Sequence, residues 1–211
     1  MSYRQRRDYE NCQRMIFPGE GQYQIPKLFP DDPRVERWIP YNYAKKEMNP
    51  ERCGIHFFID DYQFVRLWND PKRYLSQLAV FDAVCTPDFS MYTDFPKAVQ
   101  IFNWYRSQWL GAYWQSYGIR VIPTIGWSTP DSFDWCFDGV PRHSTVACSA
   151  QGTQNSEKTK KLFMDGWKAM LRRLEPSRVI FYGDVPEGCE GPIEPMGKSF
   201  FRSLRHIEGR E

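Results

Sequence analysis

The sequence predicts an α/β protein of about five strand–helix repeats built on a parallel sheet, and three observations carry that expectation. Short apolar runs recur along the chain, each run breaks into polar residues, and the stretches between runs are long enough for a helix. The runs are 55–59 into Asp60 and Asp61, 83–85 into Thr86, Pro87 and Asp88, 119–122 into Thr124 and Trp127, 145–148 into Ser149 and Gln151, and 179–182 into Gly183 and Asp184. Strands buried on both faces need such near-continuous apolarity, and a spacing of roughly thirty residues is that of a crossover connection. The arrangement favoured is a TIM-barrel-like but incomplete barrel, because a full barrel has about eight repeats. An open doubly wound sheet is the alternative, and strand order decides between them. In both, ligands sit at the carboxyl ends of the strands, where the polar breaks fall.

Residues 1–50 carry Pro18, Pro26, Pro30, Pro33, Pro40 and Pro50 without a clean period, which predicts an extended arm packed on the domain through Phe29, Trp38, Tyr41 and Tyr43. The core spans 51–190, with strands expected near 55–60, 83–86, 119–124, 145–149 and 179–183 in one sheet. Asp70-Pro71 splits the first crossover, since proline suits only the start of a helix. A long helix is predicted over 96–117, with Asp94 as a cap, Pro96 at its first position and Gly118 past its end. Val99, Phe102, Trp109 and Tyr113 recur there at helical spacing, while Trp104, Tyr105 and Trp114 make it aromatic on nearly every side, as a helix packed on more than one side would be. A short helix after Pro130 runs toward Gly139. Another, over 157–174, gathers Phe163, Trp167, Met170 and Leu174 on one face. The tail, 191–211, is expected to end in a docking helix through Phe200, Phe201 and Leu204.

With 211 residues, 17% of them aromatic and 8 of them Trp, the chain can bury a substantial core. A net charge of +2 does not support nucleic acid as the default partner. The six cysteines are scattered without a Cys-x-x-Cys pair or a histidine in zinc-finger spacing, and Cys85 and Cys148 read as small buried hydrophobes. No apolar run reaches about eighteen residues, and the polar start lacks a signal-peptide core, so a soluble cytoplasmic protein without a membrane partner is expected. Dinucleotide, phosphate-loop and His-Glu-x-x-His motifs are absent, and Ser149 lacks the Gly-x-Ser-x-Gly elbow of serine hydrolases.

What remains is a set of strand-end candidates. Asp60, Asp88 and Asp184 end three of the five strands, and carboxylates brought together there would act as acid and base or hold Mg2+ or Mn2+, since oxygen ligands suit hard cations. Each also reads as a helix cap, with Asp60 the better functional candidate and Asp61 the better cap. Arg106, inside the aromatic helix, would pair with a carboxylate or phosphate or else lie along the surface as an ordinary long cation. Trp127 offers an aromatic face to a sugar or base ring, and Ser149 and Gln151 offer polar groups to a ligand. His56, inside a strand, reads as a satisfied core histidine. His143 falls at the opposite end, and His206 lies in the tail.

The strings His56-Phe57-Phe58-Ile59-Asp60-Asp61-Tyr62-Gln63-Phe64, Thr86-Pro87-Asp88-Phe89-Ser90-Met91-Tyr92-Thr93-Asp94 and Tyr105-Arg106-Ser107, continuing through Trp109-Leu110-Gly111-Ala112-Tyr113-Trp114-Gln115, resemble the bacterial and phage family called domain of unknown function 4417. The resemblance covers about residues 40–188. It implies a phage or mobile-element context and carries no chemistry with it. Two functional classes therefore stand: a hydrolase-like enzyme using Asp60, Asp88 and Asp184 on a small substrate, or a non-catalytic protein that binds a ligand, a protein or nucleic acid at the same mouth.

Overall fold

A computed structural model describes residues 9–11 and 15–196. A short antiparallel hairpin, β1 (Gly19–Glu20) with β2 (Ile25–Pro26), precedes the parallel strands. Strands β3 (Arg37–Pro40), β4 (Cys53–His56), β5 (Ala83–Cys85) and β6 (Val121–Ile122) form one parallel sheet in that order. Strands β7 (Thr145–Ser149), β8 (Arg178–Tyr182) and β9 (Ile193–Pro195) form a second. A single parallel bridge, Thr124 to Ala147, links the two.

The molecule is thus mixed α/β with parallel sheets. All five expected strands are present and parallel to their neighbours, but they are divided between two sheets rather than one. Pro123 explains the division: it has no N–H to donate, so the β6 ladder stops at Ile122 and resumes only as the isolated bridge. The first expected strand also ends at His56, before Asp60, and the chain turns where the Ile59 N–H donates to the Phe57 carbonyl at 2.7 Å. Two further strands come from segments expected to be arm and tail. Residues 37–40 pair with β4, and a 3-10 helix, Tyr41–Lys46, follows them; residues 193–195 pair with β8. The docking helix expected beyond residue 196 lies outside the described residues.

Among the described residues four α-helices lie between the strands: α1 (Arg66–Asn69), α2 (Leu75–Leu78), α3 (Lys97–Gln115) and α4 (Glu157–Leu174). Pro71 opens a new turn where α1 stops, as the sequence predicts. Pro96 is the N-cap of α3 rather than its first helical residue, and Asp94 does not cap it. The other end follows its glycine: Gly118 takes φ 78°, its N–H donates to Gln115 O at 2.9 Å, and Ile119 N–H donates to Trp114 O at 3.2 Å. These two bonds are a Schellman closure, with buried Ile119 and Trp114 as its apolar contact. Helix α4 begins with a capping box between Ser156 and Thr159 and ends at Glu175 in the left-handed region. The helix expected after Pro130 is a 3-10 segment, Pro130–Asp134.

Trp109, Tyr113 and Trp114 of α3 pack against β3–β6, while Phe163, Trp167, Met170 and Leu174 of α4 pack with Val146, Cys148, Val179 and Phe181 of β7 and β8. Cys53, Cys85, Cys136 and Cys148 are buried free thiols. At the amino ends of β7–β9 the buried Arg178 pairs with Asp32 at 2.7 Å and Glu194 at 3.2 Å, and donates to Thr145 Oγ1 at 3.2 Å and to the Pro33 carbonyl. Arg34 also reaches Glu194, at 3.2 Å. Among the described residues no helix is long and apolar enough to cross a membrane.

Candidate functional site

The segments that follow β4, β5, β6 and β7, together with the end of β8 and the first turns of α4, surround one open cleft of about 1040 Å3. Its floor is aromatic. Phe58 stacks on Tyr182 with ring centroids 5.1 Å apart, and the buried His56 lies 4.6 Å from Tyr182 behind them. His56 Nδ1 accepts the Phe58 N–H at 3.3 Å, and burial pulls the imidazole down to about 3. Burial thus keeps it a neutral core group at physiological pH.

One wall is the loop from Pro87 to Phe95, and α3 holds it from behind. Gln100, Asn103 and Ser107 share one face of the helix at spacings of three and four. Gln100 donates to the Tyr92 and Phe95 carbonyls at 3.1 and 2.9 Å, Asn103 to the Ser90 carbonyl at 2.5 Å, and Ser107 to the Pro87 carbonyl at 2.5 Å. From the other side Asp61 accepts the Ser90 N–H at 3.1 Å and the Ser90 hydroxyl at 3.0 Å. The expectation that Asp61 caps its own helix is corrected: its carboxylate crosses to this loop. Asp60 occupies the cap position and makes no capping bond.

Asp88 lies on the wall so held. Thr124 donates its N–H to Thr86 Oγ1 at 2.8 Å and its hydroxyl to the Thr86 carbonyl at 2.6 Å, tying together the ends of β5 and β6 beside it. Among the described residues the Asp88 carboxyl has no hydrogen-bond partner. Burial, and then the negative charge of Asp61, push it up to about 7.

The facing wall carries Trp127, half-buried, 5.2 Å from Phe163. Its indole lies on the backbone of α4 at Gly166, where a Cβ would come within 2.2 Å of Nε1. Ser128 lines the cleft with a buried hydroxyl that has no partner among the described residues, while its N–H donates to Ser132 Oγ at 3.0 Å. Ser149 and Gln151 also line it, with the Gln151 N–H donating to Ser149 Oγ at 3.1 Å.

Asp60, Asp88, Trp127, Ser149 and Gln151 therefore meet at one cleft, and two expected members do not. Asp184 is exposed and does not line it, because Gly183, at φ 88°, redirects the chain after β8. Arg106 points into the back of the loop, its guanidinium 3.6 Å from the centre of the Phe89 ring. Burial there lowers its pKa, against the charges of Asp61 and Glu10. The three-carboxylate arrangement expected for Mg2+ or Mn2+ is not formed: among the described residues no group of three or more His, Cys, Asp or Glu side chains is placed to hold a metal ion. Ser90, Phe58, Tyr182 and Ser128 are not among the sequence candidates, and Asp61 is there weighed below Asp60 and preferred as a cap. Asp61 and Ser90 stand in the strings that carry the family resemblance, which is the signal that points to them.

The fold and the cleft define a mixed α/β protein with an open, partly acidic and partly aromatic site where parallel strands end. The chain belongs to the family described as Domain of unknown function (DUF4417), whose model matches residues 17–194. Two relatives are both called Gene 1 protein. That of Mycobacterium phage L5 is 42% identical over 189 residues, covering 85% of this chain and 82% of the relative. That of Mycobacterium phage D29 is 42% identical over 177 residues, covering 81% of this chain and 64% of the relative, just under two thirds of its length. No solved structure matches the chain.

Proposed function

We propose that this protein is a hydrolase-like enzyme in which Asp88 and Asp61 act as an acid–base pair, on a scaffold that is an incomplete barrel. The barrel reading is supported by strand order that follows the chain from β3 to β9. In a flat sheet β4 and β8, four places apart, would stand roughly 19 Å from each other. The rings of His56 and Tyr182 on those strands are 4.6 Å apart, and Arg34, just before β3, pairs with Glu194 on β9. Curling of the sheet accounts for both contacts.

The observation that carries the catalytic reading is that Asp88 and Asp61 line the same cleft and that the Asp88 carboxyl has no hydrogen-bond partner among the described residues, so that burial and the charge of Asp61 push it up. Two carboxyl groups whose environments separate their protonation give one acid and one base near neutrality. Asp88 donates its proton to the oxygen of the departing group as that bond breaks. A water molecule loses its proton to Asp61 as its oxygen bonds to the substrate centre, and the Ser90 N–H and hydroxyl hold Asp61 in position for it. Phe58 and Tyr182 provide a flat apolar surface for a ring, and Ser128, Ser149 and Gln151 provide polar contacts.

The test is hydrolysis of a panel of nitrophenyl esters, glycosides and phosphates across pH. Because Asp88 acts protonated, turnover falls as pH rises through about 7, and Asp88→Asn lowers it by roughly 10²–10⁴. A second reading, ligand binding without turnover, is favoured by the exposed Tyr62 and Tyr92 at the mouth. Turnover that survives Asp88→Asn would remove Asp88 as the acid, whereas ring ligands that bind wild type and variant equally and are never converted would replace the enzyme with the binding protein.

A further inference from the structure

Beside the main cleft lies a second, smaller pocket of about 320 Å3, lined by Tyr41, Asn42, Lys45, Arg66 and Gln77 and by two residues of the cleft itself, Tyr62 and Gln63. The two cavities share those walls. The chemistry of the second is cationic. Most arginines of the described chain are ion-paired: Arg34, Arg37, Arg52, Arg120, Arg142, Arg173 and Arg178 each have a carboxylate within 4.0 Å. Lys45 and Arg66, which both line the small pocket, have no ion-pair partner among the described residues. The neutral lining adds donors. Asn42 Nδ2 donates to Gln63 Oε1 at 2.8 Å, which fixes the Gln63 amide by its oxygen and leaves its NH2 group to donate elsewhere. Among the described residues no carboxylate lines this pocket, whereas Asp60, Asp61 and Asp88 line the cleft. Positive charge on one side of Tyr62 and negative charge on the other give the joined cavities a direction.

We propose that the Lys45–Arg66 pocket is an anion subsite of the cleft, taking the phosphate of a ring-bearing organic phosphate whose ring passes Tyr62 toward Phe58 and Tyr182. A guanidinium supplies a fork of donors to phosphate oxygens, an ammonium supplies a point charge, and the Gln63 amide supplies a neutral donor. Tyr62 is 72% exposed and stands at the junction, so its ring is available to stack on the ligand as it crosses. Free phosphate, a sugar phosphate and a nucleotide all carry the recognised group. The ring decides among them, because only a ring-bearing phosphate uses both cavities at once. The inference gives the substrate class of the proposed acid–base cleft, and in that sense rests on it, but the subsite itself needs only the two cations and the shared wall.

The test measures calorimetric affinities for inorganic phosphate, glucose 6-phosphate, thymidine 5′-monophosphate and thymidine, at low and high salt. Wild type, Lys45→Gln/Arg66→Gln and Asp88→Asn are compared, with thermal unfolding as the control for folding. Inorganic phosphate binds wild type weakly and at least one ring phosphate binds more tightly. The double variant loses about tenfold or more for every phosphate, as expected when charged hydrogen bonds are removed, while any thymidine binding is unchanged. Added salt weakens the phosphates alone. Equal phosphate affinity in wild type and the folded double variant overturns the subsite, as does an absence of phosphate binding to wild type. The arms also separate the two proposals. Phosphate binding that is lost in the double variant, from a protein that hydrolyses nothing at any pH, keeps the subsite and removes the enzyme. Turnover that depends on Asp88 but is indifferent to Lys45 and Arg66 keeps the enzyme and removes the subsite.

Discussion

Asp88 is held where its charged form is disfavoured, half out of water, without a hydrogen bond among the described residues and beside Asp61. Its carboxyl is raised from 3.8 to about 7, so the folded state binds a proton that the unfolded chain gives up. That favours folding below pH 4, and the contribution is lost as pH rises through about 7. Asp88→Asn removes the penalty while keeping the shape, so at pH 8 the variant should be more stable than wild type by roughly 1–3 kcal/mol, with the gap closing in acid. Denaturant unfolding at pH 5 and pH 8 measures this. A variant equally or less stable at both would mean that Asp88 is well solvated, and the acid–base reading would lose its main support. A residue that weakens the fold and lines a cleft is what a functional site looks like in energetic terms. Asp88 was legible in the sequence as a polar residue ending an apolar run. Its partner was not. Choosing Asp60 over Asp61 assumed that strand alternation reaches Asp60, whereas β4 stops at His56 and the intervening turn resets which side chain faces inward.

Trp109 shows what α3 contributes at the scale of an element. Its ring is buried, stacks on Tyr113 at 4.9 Å, meets Trp68 and Phe17 edge-on at 5.4 and 5.8 Å, and its Nε1 donates to the Met15 carbonyl at 3.0 Å. Trp109→Ala should therefore destabilise the protein by roughly 3–5 kcal/mol, and unchanged thermal and denaturant unfolding would refute the packing described. The same helix shows why its other role was hidden. Its aromatic residues dominate the pattern, so the loop-holding face of Gln100, Asn103 and Ser107 reads as ordinary polar surface until the loop is seen lying on it. The missed strands have a comparable reason. β3 and β9 are the edge strands of their sheets, both are short, and both end in proline, Pro40 and Pro195. Proline is tolerated at a sheet edge because an N–H there need not enter a ladder, so the residue that argued for arm and tail is compatible with either. The central strands, by contrast, were legible because burial on both faces leaves nearly every residue apolar.

At the scale of the whole molecule, Arg178 joins segments far apart in sequence. It reaches Asp32 and Pro33 ahead of β3, Thr145 at the start of β7 and Glu194 on β9, and is itself 5% exposed. These contacts lie at the amino ends of the strands, opposite the cleft, where the proposed incomplete barrel would use its residues for stability rather than chemistry. Arg178→Met keeps much of the apolar stem but removes the charge and every donor. Asp32 and Glu194 are about half exposed, at 52% and 46%, so both can regain water, and the expected loss is about 1–3 kcal/mol rather than the larger cost of stranding a fully buried charge. The pH dependence follows from Asp32, whose carboxyl is held below 3.8 first by the Thr145 hydroxyl and then by the charges of Arg178 and Arg34, against the opposing effect of burial. A depressed carboxyl stabilises the fold fully above its unfolded value and loses that contribution as pH falls through the folded one. Wild type should therefore exceed Asp32→Asn in stability at pH 7, and the difference should shrink once pH drops below about 3.8. Activity or ring-ligand binding measured at temperatures where both variants remain folded should be unchanged, because neither residue lines the cleft. If Arg178→Met unfolds no more easily than wild type, the amino-end network contributes nothing to holding β3 near β9, and the proposed incomplete barrel would rest on the contacts between β4 and β8 alone.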